Sequence, residues 1–393
     1  MKLLIYSHLF WPSVGGLETV VQALASGLAK LNDKTGAPLY EITVVTNTTG
    51  PPDGAEWQSS YRVVRKPQRA ELRRLVESAD LVHVAGVSIP AIRPALSAGK
   101  PVVVEHHGFQ AICPTGQLLQ EPQDVPCPGH FMNGNHAACL RCRNSGTFLS
   151  SLRLWLLTFW RRWLCERVTV NIVPTAWLGE QLNLSRVKTI WHGLPREAAF
   201  VRISSTGRIP QIVFMGRLVT TKGVGLLLEA AGKLREQNHR FEIVIIGAGP
   251  ERESLEEQAK QKQLAGQVKF LGMMPNAELA TQLAGASVIV VPSIGGEVFG
   301  MVVAENMLRG LPVLASDLGA FVEVLGSREQ TFRTGDAVDL ARKLEQVLKE
   351  PAMAADWGAR GRNRILEVFS EERMIDEHHR LYQEAMGLNP RGA

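Results

Sequence analysis

Short apolar runs alternate with segments of helical period along almost the whole chain. The strand-like runs are Lys2–Tyr6, Ile42–Thr46, Tyr61–Arg65, Leu81–Val84, Val102–Glu105 and Val168–Val173, then Gln211–Met215, Glu242–Ile246, Val268–Leu271, Val288–Val291 and Pro312–Ala315. Between them, segments such as Leu17–Leu31 and Val224–Glu236 repeat apolar residues at three- and four-residue spacing, as an amphipathic helix does. Strands that alternate with helices in this way predict parallel sheets covered by helices on both faces. The fold class expected is therefore α/β, built from doubly wound units. No fixed-period repeat accompanies the alternation.

The segment between about 187 and 210, HGLPREAAFVRISSTGRIP, is broken by Pro195, Ser204, Gly207 and Pro210, and reads as a linker. It divides the chain into residues 1–187 and 188–370, each the size of a doubly wound domain. Two helices are expected after Pro351, over Met353–Val368 and Glu371–Met386. The segment 371–393 is expected to pack back on the N-terminal domain.

The segment GGEVFGMVVAENMLRG holds the most informative chemistry. It lies between two strand-like runs, and glycines 295, 296 and 300 surround Glu297, with Glu305 eight residues further on. Strand, glycine-rich loop, helix and strand form a parallel unit whose ligand site lies at the strand's carboxyl end. The N–H groups expected at the helix start, those of Phe299, Gly300, Met301 and Val302, suit a phosphate. Each carboxylate can accept from two neighbouring sugar hydroxyls. The plain alternative is two solvated glutamates on a surface helix.

Other motifs sit at corresponding strand ends. Gly15 and Gly16 follow the first strand and open a helix; they serve either a tight turn or the close approach of a phosphate. Gly216 and Arg217 follow the strand Gln211–Met215, and Lys222 and Gly223 follow five residues later. Two cations at one strand end can converge on a diphosphate. Gly247-Ala-Gly249-Pro250 lacks the third glycine of a dinucleotide fingerprint and reads as a scaffold turn.

Taken in order, Gly15-Gly16, His107-Gly108, Gly216-Arg217 with Lys222-Gly223, Gly247-Ala-Gly249-Pro250 and Glu297 with Glu305 resemble the retaining glycosyltransferases of family 4 over nearly the whole chain. The resemblance implies the GT-B fold, two Rossmann-like domains facing across a cleft, with an acceptor-binding first domain and a donor-binding second. It implies transfer of a hexose from a UDP- or GDP-sugar to a glycan or lipid-linked acceptor, with no metal required for catalysis. The sequence has no D-x-D pair, which accords with that. Carried onto this chain, Glu297 contacts the donor sugar and Glu305 the ribose. Arg217 and Lys222 neutralise the departing diphosphate, an electrostatic contribution of the kind that dominates such catalysis. His107 borders the sugar, Gly16 admits the phosphate or the acceptor, and the strand beginning at Val268 holds the base. The resemblance further implies a role in cell-surface polysaccharide or glycolipid synthesis. A nucleotide-sugar epimerase on the same fold and a silent sugar-nucleotide-binding protein are the rival readings.

Cys113, Cys127, Cys139 and Cys142 fall within 30 residues, the last two as C-x-x-C, in an insertion of about residues 110–147. Four thiolates can hold a structural zinc. An iron–sulfur cluster and free thiols are the alternatives.

The chain has 393 residues, is 45% hydrophobic and 21% charged, and carries a formal charge of +5. This mild basicity suits an acidic ligand or anionic lipid. Dispersed basic residues without a DNA-reading motif exclude nucleic acid as the expected partner. The N-terminus lacks the cleavage site of a signal peptide, and no run of about 20 apolar residues is available to span a bilayer. A cytoplasmic location is therefore expected. Leu152–Leu164 is rich in tryptophan and arginine, with Leu152, Trp155, Phe159 and Trp163 on one side. It reads either as a helix packed on the first domain or as one lying in the inner membrane face.

Overall fold

The computed structural model describes residues 1–51, 60–142, 147–196 and 209–387. They form two compact units: Met1–Gly116 with Gly129–Gly193 and the segment from Phe369, and Gln117–Pro128 with Leu194–Val368. Residues 197–208 of the linker expected between 187 and 210 lie outside the described residues, as does part of the cysteine insertion.

The first unit is built on a seven-stranded sheet: β1 (Lys2–Ser7), β2 (Glu41–Thr46), β3 (Arg62–Arg65), β4 (Leu81–Ala85), β5 (Val102–Glu105), β8 (Val170–Val173) and β9 (Val187–Thr189). Their order is β3-β2-β1-β4-β5-β8-β9, and each pairing is parallel. Leu81 to Ala85 are all buried, as a strand covered on both faces requires. One side of the sheet, with Leu4, Tyr6, Val82, Val84, Val102 and Val104, packs against Leu72, Val76, Ala91, Ile92 and Ala95 of two helices. The helix Glu371–Ala385 belongs to this unit, and Ser370 caps it by accepting from the Arg373 N–H at 3.2 Å. Its Ile375 lies where a side chain at position 27 would stand, so glycine there lets the helix approach Gly16–Leu28.

The second unit carries the order β12-β11-β10-β13-β14-β15, again all parallel. These strands are β10 (Gln211–Met215), β11 (Glu242–Ile246), β12 (Val268–Gly272), β13 (Ala286–Val291), β14 (Val313–Ser316) and β15 (Thr331–Phe332). Numbered from β10, this is 3-2-1-4-5-6, the doubly wound order, with its reversal between β10 and β13. Ile212, Phe214, Ile245, Val288 and Val290 pack against Leu227, Leu234, Leu340, Leu344 and Trp357. A small antiparallel hairpin, β6 (Leu119–Gln120) and β7 (Val125–Pro126), also belongs to this unit although it arises from the first half of the chain.

No described helix is long and apolar enough to cross a membrane.

Candidate functional site

In a doubly wound sheet, ligands bind beyond the carboxyl ends of the strands at the point where strand order reverses. In the second unit that point lies between β10 and β13, and the residues singled out in the sequence follow these two strands. Arg217 lies two residues beyond β10, and Lys222 ends the 3-10 turn Thr220–Lys222. Ser293 and Glu297 follow β13.

The loops are tied together through their backbones. The Gly216 N–H donates to Ile246 O at 3.0 Å, Leu218 N–H to Ala248 O at 3.0 Å, and Gly247 N–H to Gly272 O at 2.8 Å. On the other side Ile294 N–H donates to Thr221 O at 2.8 Å. Gly223 has φ +67, and a Cβ there would stand 1.9 Å from Pro292 O, so the turn after Lys222 can close on the β13 loop only with glycine. The hairpin segment joins in, because Gln117 O accepts from the Gly296 N–H at 2.7 Å.

This framework brings Lys222 and Glu297 into direct contact. Lys222 Nζ donates to Glu297 Oε1 at 2.6 Å, and Ser293 Oγ donates to the same oxygen at 2.8 Å. The side chains are 28% and 11% exposed, so the pair is partly desolvated while its outer edge remains open. Among the described residues Oε2 of Glu297 carries no hydrogen bond. Ser293 is the residue that sequence reasoning missed; its own backbone is fixed by Ser316 Oγ, which donates to Ser293 O at 2.6 Å. Arg217 is exposed and, among the described residues, makes no ion pair.

The helix starts later than expected. It spans Met301–Leu308, so Glu297 sits in the preceding loop and only Glu305 is helical. Gly300 takes φ +97 at the N-cap, with a would-be Cβ 2.6 Å from the Phe321 ring. That left-handed residue turns the loop into the helix, which glycine permits at no steric cost. Met301 and Val302 open the helix, and their N–H groups have no partner within it. Phe299 is buried in the core. Glu305 lies 3.9 Å from Arg309, and burial raises its carboxyl above the ordinary range against the pull of that arginine. Val268 opens β12 and is half-buried.

The remaining candidates lie in the first unit. Gly15 is extended, with φ −177, and precedes the helix that Gly16 opens. A Cβ at position 15 would stand 2.6 Å from Glu18 Oε2, so glycine here leaves room for the Glu18 carboxylate, which Ser13 Oγ holds at 2.7 Å. His106 points into the sheet and pairs with Asn171 Oδ1 at 2.9 Å; burial lowers its pKa to about 4. His107 instead stacks on His192, with centroids 5.1 Å apart and planes 11° from parallel. Both face the buried Glu105, as do His83 and His378. Burial alone would raise the Glu105 carboxyl, but His107 and the other imidazoles hold it well below the usual carboxylate range.

No disulfide joins the five cysteines among the described residues. Cys113, Cys139 and Cys142 belong to the first unit, whereas Cys127 lies in the segment that packs with the second. Among the described residues, the groups of three or more His, Cys, Asp or Glu side chains with ligand atoms within 4.8 Å of one another contain no cysteine.

The glycosyl transferases group 1 family matches residues 196–364, and the glycosyl transferase 4-like domain matches residues 15–189. The chain belongs to the group 1 glycosyltransferases. A relative is the phosphatidyl-myo-inositol mannosyltransferase of Mycolicibacterium smegmatis, 38% identical over 208 residues, which are 52% of this chain and 50% of that protein. The matched region thus spans about half the length of such curated relatives. Among solved structures, sucrose-phosphate synthase from Thermosynechococcus elongatus superimposes with TM-score 0.73 at 18% identity, over 98% of this chain and 99% of that one. Anabaena HepE in complex with UDP gives TM-score 0.72 at 17% identity, over 98% and 100%. The fold of this group 1 glycosyltransferase is GT-B.

Proposed function

We propose that the protein is a retaining glycosyltransferase that moves a hexose from a UDP- or GDP-sugar to a glycan or lipid-linked acceptor. The observation that carries this reading is the Lys222–Glu297 pair at the switch point of the second sheet, held by Ser293 and followed at once by the Gly300 helix start. A cation, a carboxylate with one open oxygen and unpaired helix N–H groups are what a sugar diphosphate needs. The diphosphate meets Lys222 and the N–H groups of Met301 and Val302, with Arg217 closing from the exposed side, while Glu297 Oε2 accepts from sugar hydroxyls. Negative charge develops on the diphosphate as it leaves, and fixed cations and dipoles stabilise it there without reorganising. Glu305, one turn into the helix, is positioned for the ribose hydroxyls. HepE, a structural neighbour, has been crystallised with UDP and with UDP-glucose, which supports a nucleotide-sugar donor of this kind.

A membrane-borne acceptor is supported by a separate observation. The helix Phe148–Cys165 turns Leu149, Leu156, Trp160 and Trp163 outward, 45–74% exposed, beside Arg153 and Arg167. An open apolar groove of about 370 Å³ runs along Leu149, Leu152, Leu156, Leu157 and Trp160. An apolar helix face with tryptophans and flanking arginines suits the lipid interface, and we place the enzyme at the inner face of the membrane as a peripheral protein.

The test is the melting temperature of the purified chain against UDP, GDP, ADP and their hexose conjugates. A ligand that binds only the native state must raise the midpoint. A shift with one nucleotide names the base, and the matching sugars can then be screened for transfer. No shift with any of them would count against the donor site.

A further inference from the structure

The buried cluster around Glu105 lies within the first unit and asks for a positive charge that the protein's own hydrogen bonds do not supply. Glu105 ends β5, His83 lies in the middle of β4, and His378 comes from the helix Glu371–Ala385; all three are fully buried. His83 Nε2 stands 3.1 Å and His378 Nε2 3.8 Å from Glu105 Oε2. None of these contacts meets hydrogen-bond geometry, and both carboxylate oxygens and both Nε2 atoms are buried without a hydrogen-bond partner. Native interiors seldom leave even one such group unpaired, and a carboxylate is the costliest of them.

The outward sides of the two rings are, by contrast, well partnered. His378 Nδ1 lies 2.8 Å from Met374 O, a carbonyl that can only accept, so a proton sits on Nδ1 and Nε2, turned toward Glu105, is the nitrogen that can ligate a metal. His83 Nδ1 lies 2.8 Å from the Tyr382 hydroxyl, one turn further along the same helix. An imidazole with its far N–H held by a carbonyl or hydroxyl, and its near nitrogen turned toward a carboxylate, is how metal-ligating histidines are oriented. The separations also fit. Tetrahedral ligands at about 2.0–2.1 Å from zinc lie about 3.4 Å from one another, and the observed 3.1 and 3.8 Å bracket that value.

We infer that His83, Glu105 and His378 form a binding site for one divalent first-row transition metal, of which zinc is the reference case. Two imidazoles and a carboxylate favour zinc, iron, cobalt or nickel over magnesium or calcium. The site is closed to solvent, so its role is structural: the ion ties the C-terminal helix to β4 and β5 of the first unit. None of the four clustered cysteines belongs to this group of ligands.

The experiment is to unfold the full-length protein in chelator, refold it with zinc, iron(II), cobalt or nickel singly, dialyse, and measure bound metal and melting temperature. About one equivalent of at least one metal should be retained, with a raised midpoint. The same equivalent should persist in the Cys139→Ser/Cys142→Ser chain and be lost in His378→Ala. Cobalt in the site should give no thiolate charge-transfer absorption. A wild-type chain that keeps none of the four metals and melts at the same temperature with and without them would overturn the proposal. So would metal that survives His378→Ala but disappears with the two cysteines. Because the first measurement needs no variant, a His378→Ala chain that fails to fold does not rescue the idea.

Discussion

Lys222 Nζ and Glu297 Oε1 stand 2.6 Å apart although 75 residues separate them in sequence. Their loops leave the two strands on either side of the reversal in the second sheet, and a third group, Ser293, donates to the same carboxylate oxygen. The pair aims one cation and one free carboxylate oxygen outward from a fixed base.

Residues that act as a unit lose function together, so their individual losses do not add. Glu297→Ala and Lys222→Ala should each lower turnover by about 100-fold or more, the cost of removing one group that stabilises developing charge. The double variant should fall no more than about threefold below the worse single, because coupled residues are non-additive. Steady-state kinetics with the donor found in the nucleotide screen checks this. Losses that multiply would mean that the two side chains act independently, and near-normal turnover of Glu297→Ala would remove it from the site.

Arg217 offers a cleaner separation of binding from stability. It is exposed and, among the described residues, makes no ion pair, so Arg217→Ala should leave stability within about 0.5 kcal/mol. Loss of a charge-assisted contact to phosphate should weaken nucleoside diphosphate and nucleotide-sugar alike, by about tenfold or more. Titration calorimetry of both ligands decides it. Equal affinity in wild type and variant would show that Arg217 is a solvated surface charge.

The strands of both sheets were legible because buried parallel strands are apolar on both faces, and all eleven expected runs coincide with strands to within two residues at either end. What was missed is short or has no local signal. The hairpin Leu119–Gln120 with Val125–Pro126, and strands Val187–Thr189 and Thr331–Phe332, are too brief to show a period. The tryptophan-rich helix was found, but its facing was not. Phe159 packs against Phe131 at 4.7 Å and Trp155 at 4.9 Å, while Trp163 turns outward and carries Arg167 3.7 Å from its ring centre. Helical spacing alone places residues on a common side without saying which side is covered. Ser293 gave no signal as an isolated serine. His83 and His378 lie at opposite ends of the chain, and only the fold of the first unit brings them to one carboxylate.

The glycines divide into those the site framework needs and those it does not. Gly223→Ala would drive a Cβ to 1.9 Å from a backbone carbonyl, and Gly300→Ala would force a φ of +97 and a 2.6 Å approach to Phe321. Each should cost about 1–3 kcal/mol from backbone strain alone, with more from the clash. Gly266 meets nothing within 4 Å and is not in the left-handed region, so Gly266→Ala should be neutral or slightly stabilising. Denaturant unfolding of the three variants checks the ranking. Equal stability of all three would mean that the loops at β10 and β13 are looser than their backbone contacts imply.

The outward face of the helix Phe148–Cys165 makes membrane contact measurable apart from catalysis. Trp160 and Trp163 stack with centroids 5.5 Å apart and are 45% and 47% exposed, so replacing both with serine removes apolar surface with little loss of packing. Flotation with vesicles containing anionic lipid should recover the wild-type protein in the lipid fraction. Binding by Trp160→Ser/Trp163→Ser should fall about tenfold or more, because one large apolar side chain buried in the interface is worth about 1.5–3 kcal/mol. Transfer to a water-soluble acceptor should be unaffected, since these residues are remote in sequence from the Lys222–Glu297 site and belong to the other unit. Wild-type protein that stays with the aqueous fraction, at low salt and with anionic lipid present, would assign the face to contact with another protein instead of a bilayer.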